Sequence, residues 1–388
     1  MKNKIKKTLK LSPEAEASLE ERLKKLRPIE HVQAKKEGDT IEEINQKSNI
    51  GELLFQSDIV LTTQQLHDIE EDVEEEIAEG NNRTKRQAFR DGRYPNTIWS
   101  NGVNYYFDYS ASQKVRSVFK KAVREWEKDT CINMRENERA EDTIRVFAEN
   151  GCWSYVGRLG RKQDLSLGRG CESVGTAAHE LGHALGFFHT MSRHDRDSFI
   201  TLNTHNVKPD WLDQFTKQTP QTNENYGITY DYGSIMHYGG TSASFNKKPT
   251  MVPFDTNHQE TLGSRFISFY DLLMLNTHYN CLVSDGKPGP MPQPKATIAL
   301  PVRPQPGVTT PAPRPQVVVT SKPGTNGGDD FGGSDGFGGF GGFGGFDRFS
   351  CRDSLGCESL KRHNFCTSSR FPEQMRKAMC PKMCGYCK

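Results

Sequence analysis

Along residues 112–130, Val115, Val118, Phe119, Ala122, Val123 and Trp126 recur three and four positions apart among charged residues. That period predicts an amphipathic helix with one buried stripe. Short runs of β-branched and aromatic residues flank it at Thr97-Ile98-Trp99, Val103-Asn104-Tyr105-Tyr106-Phe107 and Thr143-Ile144-Arg145-Val146-Phe147, and each is predicted as a strand. Residues 87–282 therefore read as a folded domain of α+β class. Residues 1–86 are charged and free of cysteine, and the acidic run from Asp68 to Glu79 reads as a solvated helix or a disordered tail. Residues 283–350 pass from prolines to Gly-Phe repeats, which cannot bury a core and so form a linker. Residues 351–387 form a last, cysteine-dense module.

Composition agrees with this division. The 388 residues allow two or three folded units, and hydrophobic residues make up only 34%, so long stretches lie outside any core. No apolar run approaches the ~18 residues of a membrane span. Lysine plus arginine (51) nearly balances aspartate plus glutamate (49), which gives no reason to expect nucleic acid or acidic lipid as partner. Of the ten cysteines, four fall between 131 and 281 and six between 351 and 387. Such clusters read as disulfides and an oxidising, extracellular setting. The basic start, MKNKIKKTLK, is followed by no apolar h-region of a signal peptide. The recorded start is therefore expected to be incomplete; if it is complete, secretion by the ordinary route is in doubt. At Arg83-Thr84-Lys85-Arg86 clustered basic residues suit a furin-like processing protease acting after Arg86 and freeing Gln87. Asn82-Arg83-Thr84 beside it is a weak glycosylation motif.

The chemistry concentrates in His179-Glu180-Leu181-Gly182-His183-Ala184-Leu185-Gly186-Phe187-Phe188-His189. On a helix His179 and His183 lie one turn apart on the same face, so both imidazoles reach one metal ion. Glu180 projects beside them, placed to take a proton from water and pass it to a leaving amine. His189 is too far along to share that face, so the helix must end first; Gly186 permits the left-handed turn that brings back a third imidazole. Three neutral nitrogens leave zinc with open positions, as catalysis requires. About fifty residues on, Ser234-Ile235-Met236-His237-Tyr238 offers a buried methionine and an aromatic hydroxyl.

On these motifs the chain resembles the metzincin metalloproteases and, within them, the astacin family, over residues 87–282. The resemblance implies a two-lobed α+β protease domain split by an active-site cleft, and one zinc ion held by His179, His183 and His189. It makes Glu180 the catalytic base and Met236 the Met-turn residue beneath the metal. Tyr238 becomes the tyrosine that ligates zinc at rest and swings away to stabilise the oxyanion. It also selects, from three pairings, Cys131 with Cys281 and Cys152 with Cys171. Phe55-Gln56-Ser57-Asp58 resembles the FxGD motif of astacin pro-segments, which makes Asp58 a zinc ligand that keeps a zymogen latent; Ser57 stands where the family has glycine. A second departure follows His189, where the family commonly has a glutamate that meets the new N-terminus and this chain has Thr190. Because Gln87 can cyclise to an uncharged pyroglutamate, loss of the acidic partner and loss of the terminal charge are expected to go together. The charged run from Arg193 to Asp197 is assigned no catalytic role. Arg265 lies in a region resembling the primed-side wall of the cleft, and a solvated arginine is the simpler reading.

The spacing of Cys351, Cys357, Cys366, Cys380, Cys384 and Cys387 packs six half-cystines into under forty residues, too few to be stable without staples. Resemblance to the ShK toxin-like domain selects Cys351 with Cys387, Cys357 with Cys380 and Cys366 with Cys384. Arg370-Phe371-Pro372 stands where channel-blocking toxins carry a Lys-Tyr pair, so channel block is not implied. The expectation is a secreted zinc endopeptidase acting on proteins or peptides, with the extracellular matrix among the candidates. It would be made as a zymogen, activated by a furin-like protease and tethered by its last module. The alternative is a binding or toxin-like protein on an inactive protease scaffold. Physiological substrate, ShK ligand and oligomeric state are not legible.

Overall fold

The computed structural model describes residues 5, 8–27, 35–79, 88–219, 223–281, 366–367, 376 and 382–387. Helix α1 (Pro13–Lys25), helix α2 (Ile41–Lys47), strand β1 (Ile59–Val60) and helix α3 (Thr63–Glu79) come first. There follow β2 (Ala88–Phe89), β3 (Val103–Phe107), α4 (Gln113–Lys128), β4 (Met134–Glu136), β5 (Thr143–Phe147), β6 (Cys152–Tyr155), β7 (Lys162–Leu167) and α5 (Val174–Ala184). The last are β8 (Ile200–Leu202), β9 (Asn223–Glu224), β10 (Met251–Pro253) and α6 (Phe269–His278).

The stripe of residues 112–130 forms α4 as expected. Ser112 caps it by accepting the Val115 N–H, and Val115, Phe119, Ala122, Val123 and Trp126 are its buried face. Its partners are α5 and the sheet. Trp126 donates its indole N–H to the Ala178 carbonyl at 2.9 Å, which fixes α4 against α5. The sheet runs β1-β6-β7-β5-β3-β4. β4, β3, β5 and β7 pair in parallel, β6 joins antiparallel, and β1 of the N-terminal segment covers the far edge parallel to β6. Two of the three predicted strands are found. Residues 97–99 are not a strand: the N–H groups of Asn96 and Ile98 turn back to Arg93 and Pro95, and Trp99 is buried by donating to the Ala184 carbonyl at 2.8 Å. Burial of single side chains, not pairing, explains that apolar run. Of the two readings of the acidic run, the helix is found, as the second half of α3.

A second apolar cluster, with Met191, Leu202, Trp211, Phe215, Tyr230, Met251 and Leu262, forms a lower lobe around the β8–β10 pair. Ile5, Leu9 and Ile69 of the N-terminal segment join this cluster. Arg22 of α1 reaches into it as well, donating to Val252 O at 2.9 Å, Pro253 O at 3.1 Å and Thr201 Oγ1 at 2.6 Å. The N-terminal segment thus grips both lobes. Disulfides join Cys131 to Cys281, Cys152 to Cys171 and Cys366 to Cys384. Cys387 is disulfide-bonded, whereas Cys351, Cys357 and Cys380 lie outside the described residues. So do Arg86, Gln87, the glycosylation motif and the linker.

Candidate metal centre

Helix α5 begins at Ser173, whose hydroxyl accepts from Thr176 N at 3.0 Å. It carries His179 and His183 one turn apart on a fully buried face. The helix stops as its glycines require. Gly186 adopts φ +110°, in the left-handed region, and the chain turns back to bring His189 beside the first two rings. Gly182 answers a different demand, since a Cβ there would lie 2.6 Å from Met236 Sδ. Met236, fully buried, therefore packs directly beneath the helix.

The three imidazoles and Asp58 place one ligand atom each within 4.8 Å of one another, and all four residues are buried. Asp58 Oδ2 stands 3.2 Å from His189 Nε2 and 3.3 Å from His179 Nε2, and Oδ1 stands 3.5 Å from His183 Nε2. His179 Nε2 and His189 Nε2 are 3.2 Å apart. Ligands about 2.0–2.1 Å from a tetrahedral zinc would be ~3.3 Å from each other, so the observed spacings fit that ion. The outward nitrogens agree. His179 Nδ1 donates to Ile235 O and His183 Nδ1 to Phe187 O, each at 2.7 Å, and His189 Nδ1 donates to Gln56 Oε1 at 2.9 Å. Every Nδ1 proton is engaged, so every Nε2 presents a lone pair to the common centre. Asp58 Oδ1 and His183 Nε2 are buried without a hydrogen-bond partner, a costly state that a metal ion would relieve.

Charge at the centre is organised by burial. Burial works against the Asp58 carboxylate, yet the facing histidine rings, His189 first, hold it well below the usual range. Burial lowers His183, and lowers His189 to about 3, which favours neutral rings there, whereas at His179 burial is outweighed by the Asp58 carboxylate, which raises it. Burial and then the Asp58 charge push the Glu180 carboxyl well above its usual range. Both Glu180 oxygens are buried and unpartnered.

Tyr238 lies over His189, ring centroids 4.6 Å apart. Its hydroxyl donates to the Gln56 carbonyl and shares a 2.9 Å hydrogen bond with Ser57 Oγ. Gln56 and Ser57 both have positive φ, 47° and 66°, so the turn that carries Asp58 inward is made here without glycine. Thr190 Oγ1 donates to Ser234 Oγ at 2.9 Å, and Ser234 Oγ donates to Asp271 Oδ1 at 2.6 Å. Arg193 is buried on Asp195 and the carbonyls of Ile228 and Thr229. Arg265 is exposed and, among the described residues, donates to Asp39 O at 3.5 Å.

Two participants are not singled out by the sequence. Gln56 holds His189, and Asn45 clasps the strand edge at Cys152. Gln56 stands inside the Phe55–Asp58 motif, but its target is 133 residues away; Asn45 carries no signal.

The family model of the Astacin peptidases matches residues 91–280, and that of ShK domain-like sequences matches residues 350–387. The zinc metalloproteinase nas-31 of Caenorhabditis elegans is 50% identical over 261 residues, covering 67% of this chain and 43% of that protein. The zinc metalloproteinase nas-29 of the same organism is 42% identical over 208 residues, covering 52% and 39%. The chain thus spans less than half the length of these curated relatives. Among solved structures, high choriolytic enzyme 1, a hatching enzyme zinc-protease from Oryzias latipes (medaka fish), is 32% identical, with 50% of this chain and 94% of that chain covered and a TM-score of 0.44. With the family match running from 91 to 280 around the histidine cluster, the chain belongs to the astacin family of peptidases.

Proposed function

We propose that this chain is a secreted zinc-dependent endopeptidase, made latent by residues 1–86 and activated by cleavage after Arg86. In this reading residues 87–282 are the protease domain, residues 283–350 a linker and residues 351–387 an ShK module that tethers the enzyme to substrate or matrix. His179, His183 and His189 hold the zinc, with Asp58 as fourth ligand in the latent form. The observation that carries the proposal is the Asp58 carboxylate standing 3.2–3.5 Å from three converging imidazole nitrogens.

Zinc bound there supplies Lewis acidity toward the scissile carbonyl. Glu180, buried beside the metal with both oxygens free of other bonds, takes the proton of the attacking water and delivers it to the leaving amine. Tyr238, once released from Gln56 and Ser57, donates its hydroxyl toward the carbonyl oxygen as negative charge grows there. The β6 edge, now paired with β1, becomes free to bind an extended peptide by main-chain hydrogen bonds. The N-terminal segment therefore blocks chemistry and substrate pairing together. The disulfides support an oxidising, extracellular setting. Among the described residues no helix is long and apolar enough to cross a membrane.

The test compares the full chain with the chain cleaved after Arg86, both zinc-loaded, on denatured collagen or casein. The cleaved form is expected to be active, and Glu180→Ala to lose about 10²–10⁴-fold. Silence of the cleaved, zinc-loaded protein would overturn the endopeptidase and leave the ShK-binding alternative. Equal activity before and after cleavage would overturn latency.

A further inference from the structure

Each ligating imidazole needs an acceptor on its far nitrogen, and the three acceptors have different owners. His179 and His183 sit on α5 and use carbonyls of the protease domain, Ile235 O and Phe187 O. His189 lies beyond the helix end and uses a side chain of the N-terminal segment, Gln56 Oε1. Gln56 is fully buried. Its amide cannot be turned over, because Nε2 donates to the Thr216 carbonyl at 3.1 Å, which only accepts. The oxygen is thereby committed to His189. The backbone of the same residue accepts from Tyr238.

We propose that Gln56 is a positioning residue for the metal, lent to His189 by the N-terminal segment, so that the segment strengthens zinc binding through the outer shell as well as through Asp58. Gln56 acts through His189 and does not itself touch the metal. By accepting the Nδ1 proton it fixes the tautomer and the ring plane and raises the basicity of Nε2. Losses of such partners typically weaken metal binding about 10–100-fold. Release of the segment would remove this acceptor and Asp58 together, leaving the mature site more open and its metal more exchangeable.

The inference rests on the zinc reading above, and the test separates the two. Zinc affinity of the full chain is measured by competition with a chromophoric chelator for the wild type, Gln56→Leu and Gln56→Glu. Gln56→Leu, similar in size without an acceptor, is expected to bind zinc about 10–100-fold more weakly. Gln56→Glu keeps an acceptor for His189 but sets a carboxylate oxygen against the Thr216 carbonyl, so its expected readout is a retained His189 Nδ1–H signal in the zinc-loaded protein. In the zinc-loaded proteins, proton NMR should show the Nδ1–H signals of His179, His183 and His189 in the wild type and lose only that of His189 in Gln56→Leu, the buried His237 N–H on the Tyr238 carbonyl serving as an internal control that a general loss of packing would also move. Affinity and all three signals unchanged in Gln56→Leu would overturn the inference while leaving the zinc reading intact. Failure of the wild type to bind zinc would instead overturn the zinc reading. Should Gln56→Leu not fold, Gln56→Glu decides, and absence of the His189 Nδ1–H signal from its zinc-loaded form overturns the inference.

Discussion

Asn45 pairs with Cys152 as a strand residue would: its amide oxygen accepts from the Cys152 N–H at 2.8 Å and its amide nitrogen donates to the Cys152 carbonyl at 2.7 Å. Two residues further on, Ser154 and Tyr155 pair with Ile59 and Val60 in β1. A short strand and one side chain thus satisfy the whole exposed edge of β6, and the same Asn45 nitrogen also holds Ser57 O, one residue from Asp58. Replacing Asn45 by alanine takes this partner from three buried backbone groups, the N–H and carbonyl of Cys152 and the carbonyl of Ser57, at about 1–3 kcal/mol each. Asn45→Ala is expected to lower the melting temperature of the full chain and to speed hydrogen exchange at the Cys152 amide.

Gly182 is a conflict between helix propensity and packing. In the middle of a helix alanine would be favoured by about 1 kcal/mol. Here a Cβ would press on Met236 Sδ at 2.6 Å and approach Trp126 to 3.4 Å, and overpacking of this kind costs about 1–3 kcal/mol. Packing should win. Gly182→Ala is expected to be destabilised by roughly 1 kcal/mol in chemical denaturation, and a stabilised variant would show that Met236 yields freely.

The histidines were legible because a helix imposes fixed spacing: four residues put His183 over His179, and Gly186 marked the turn before His189. The amphipathic stripe of α4 was legible for the same reason. Asn45 and Gln56 were not, because their targets, Cys152 and His189, lie 107 and 133 residues away, and no local period records such a contact. The run at residues 97–99 misled because buried apolar residues in turns and in strands look alike over three positions. Ser57 stands where the resemblance expects glycine, and it adopts a positive φ of 66°, a conformation glycine takes without strain.

Arg193 tests the assignment of a structural role to the charged run. Its guanidinium makes two buried 2.8 Å hydrogen bonds with Asp195, a buried one with the Ile228 carbonyl and a part-buried one with the Thr229 carbonyl. Removing one partner of a buried pair leaves the other charge uncompensated, at about 3–5 kcal/mol. Arg193→Ala should lose stability on that scale, and Arg193→Lys should not restore it, because an ammonium lacks the planar fork. Zinc affinity of whatever folds should be unchanged, and a large loss there would place Arg193 in the metal centre.

The disulfides should differ in weight. Cys131 and Cys281 are separated by 150 residues, Cys152 and Cys171 by 19. Loop entropy assigns about 5 kcal/mol to the first and about 3 kcal/mol to the second. Paired alanine substitutions followed by denaturant titration should show the larger loss for the first pair, and the reverse order would mean that the unfolded chain is not the main thing these bonds constrain.

Asp231 and Asp271 form a buried carboxylate pair bridged by Ser268, which donates its hydroxyl to Asp231 and its N–H to Asp271. Burial, then the charge of Asp271, raises Asp231 to about 7, against the opposing pull of Arg193. A carboxyl with a raised folded pKa binds more protons in the folded state than in the unfolded one. Its contribution to stability is therefore full below about pH 4 and is lost as pH rises through about 7. Neutral burial of His237 and His278, lowered to about 4 and about 3, works in the opposite sense, gaining stability as pH rises toward the unfolded histidine range. The informative quantity is therefore a difference. Asp231→Asn keeps the acceptor but cannot ionise, so its stability relative to the wild type should rise between about pH 4 and about pH 7, by at most ~1.4 kcal/mol per pH unit for one proton. Denaturant midpoints that run parallel across that interval would mean that the pair carries no shared proton near neutrality.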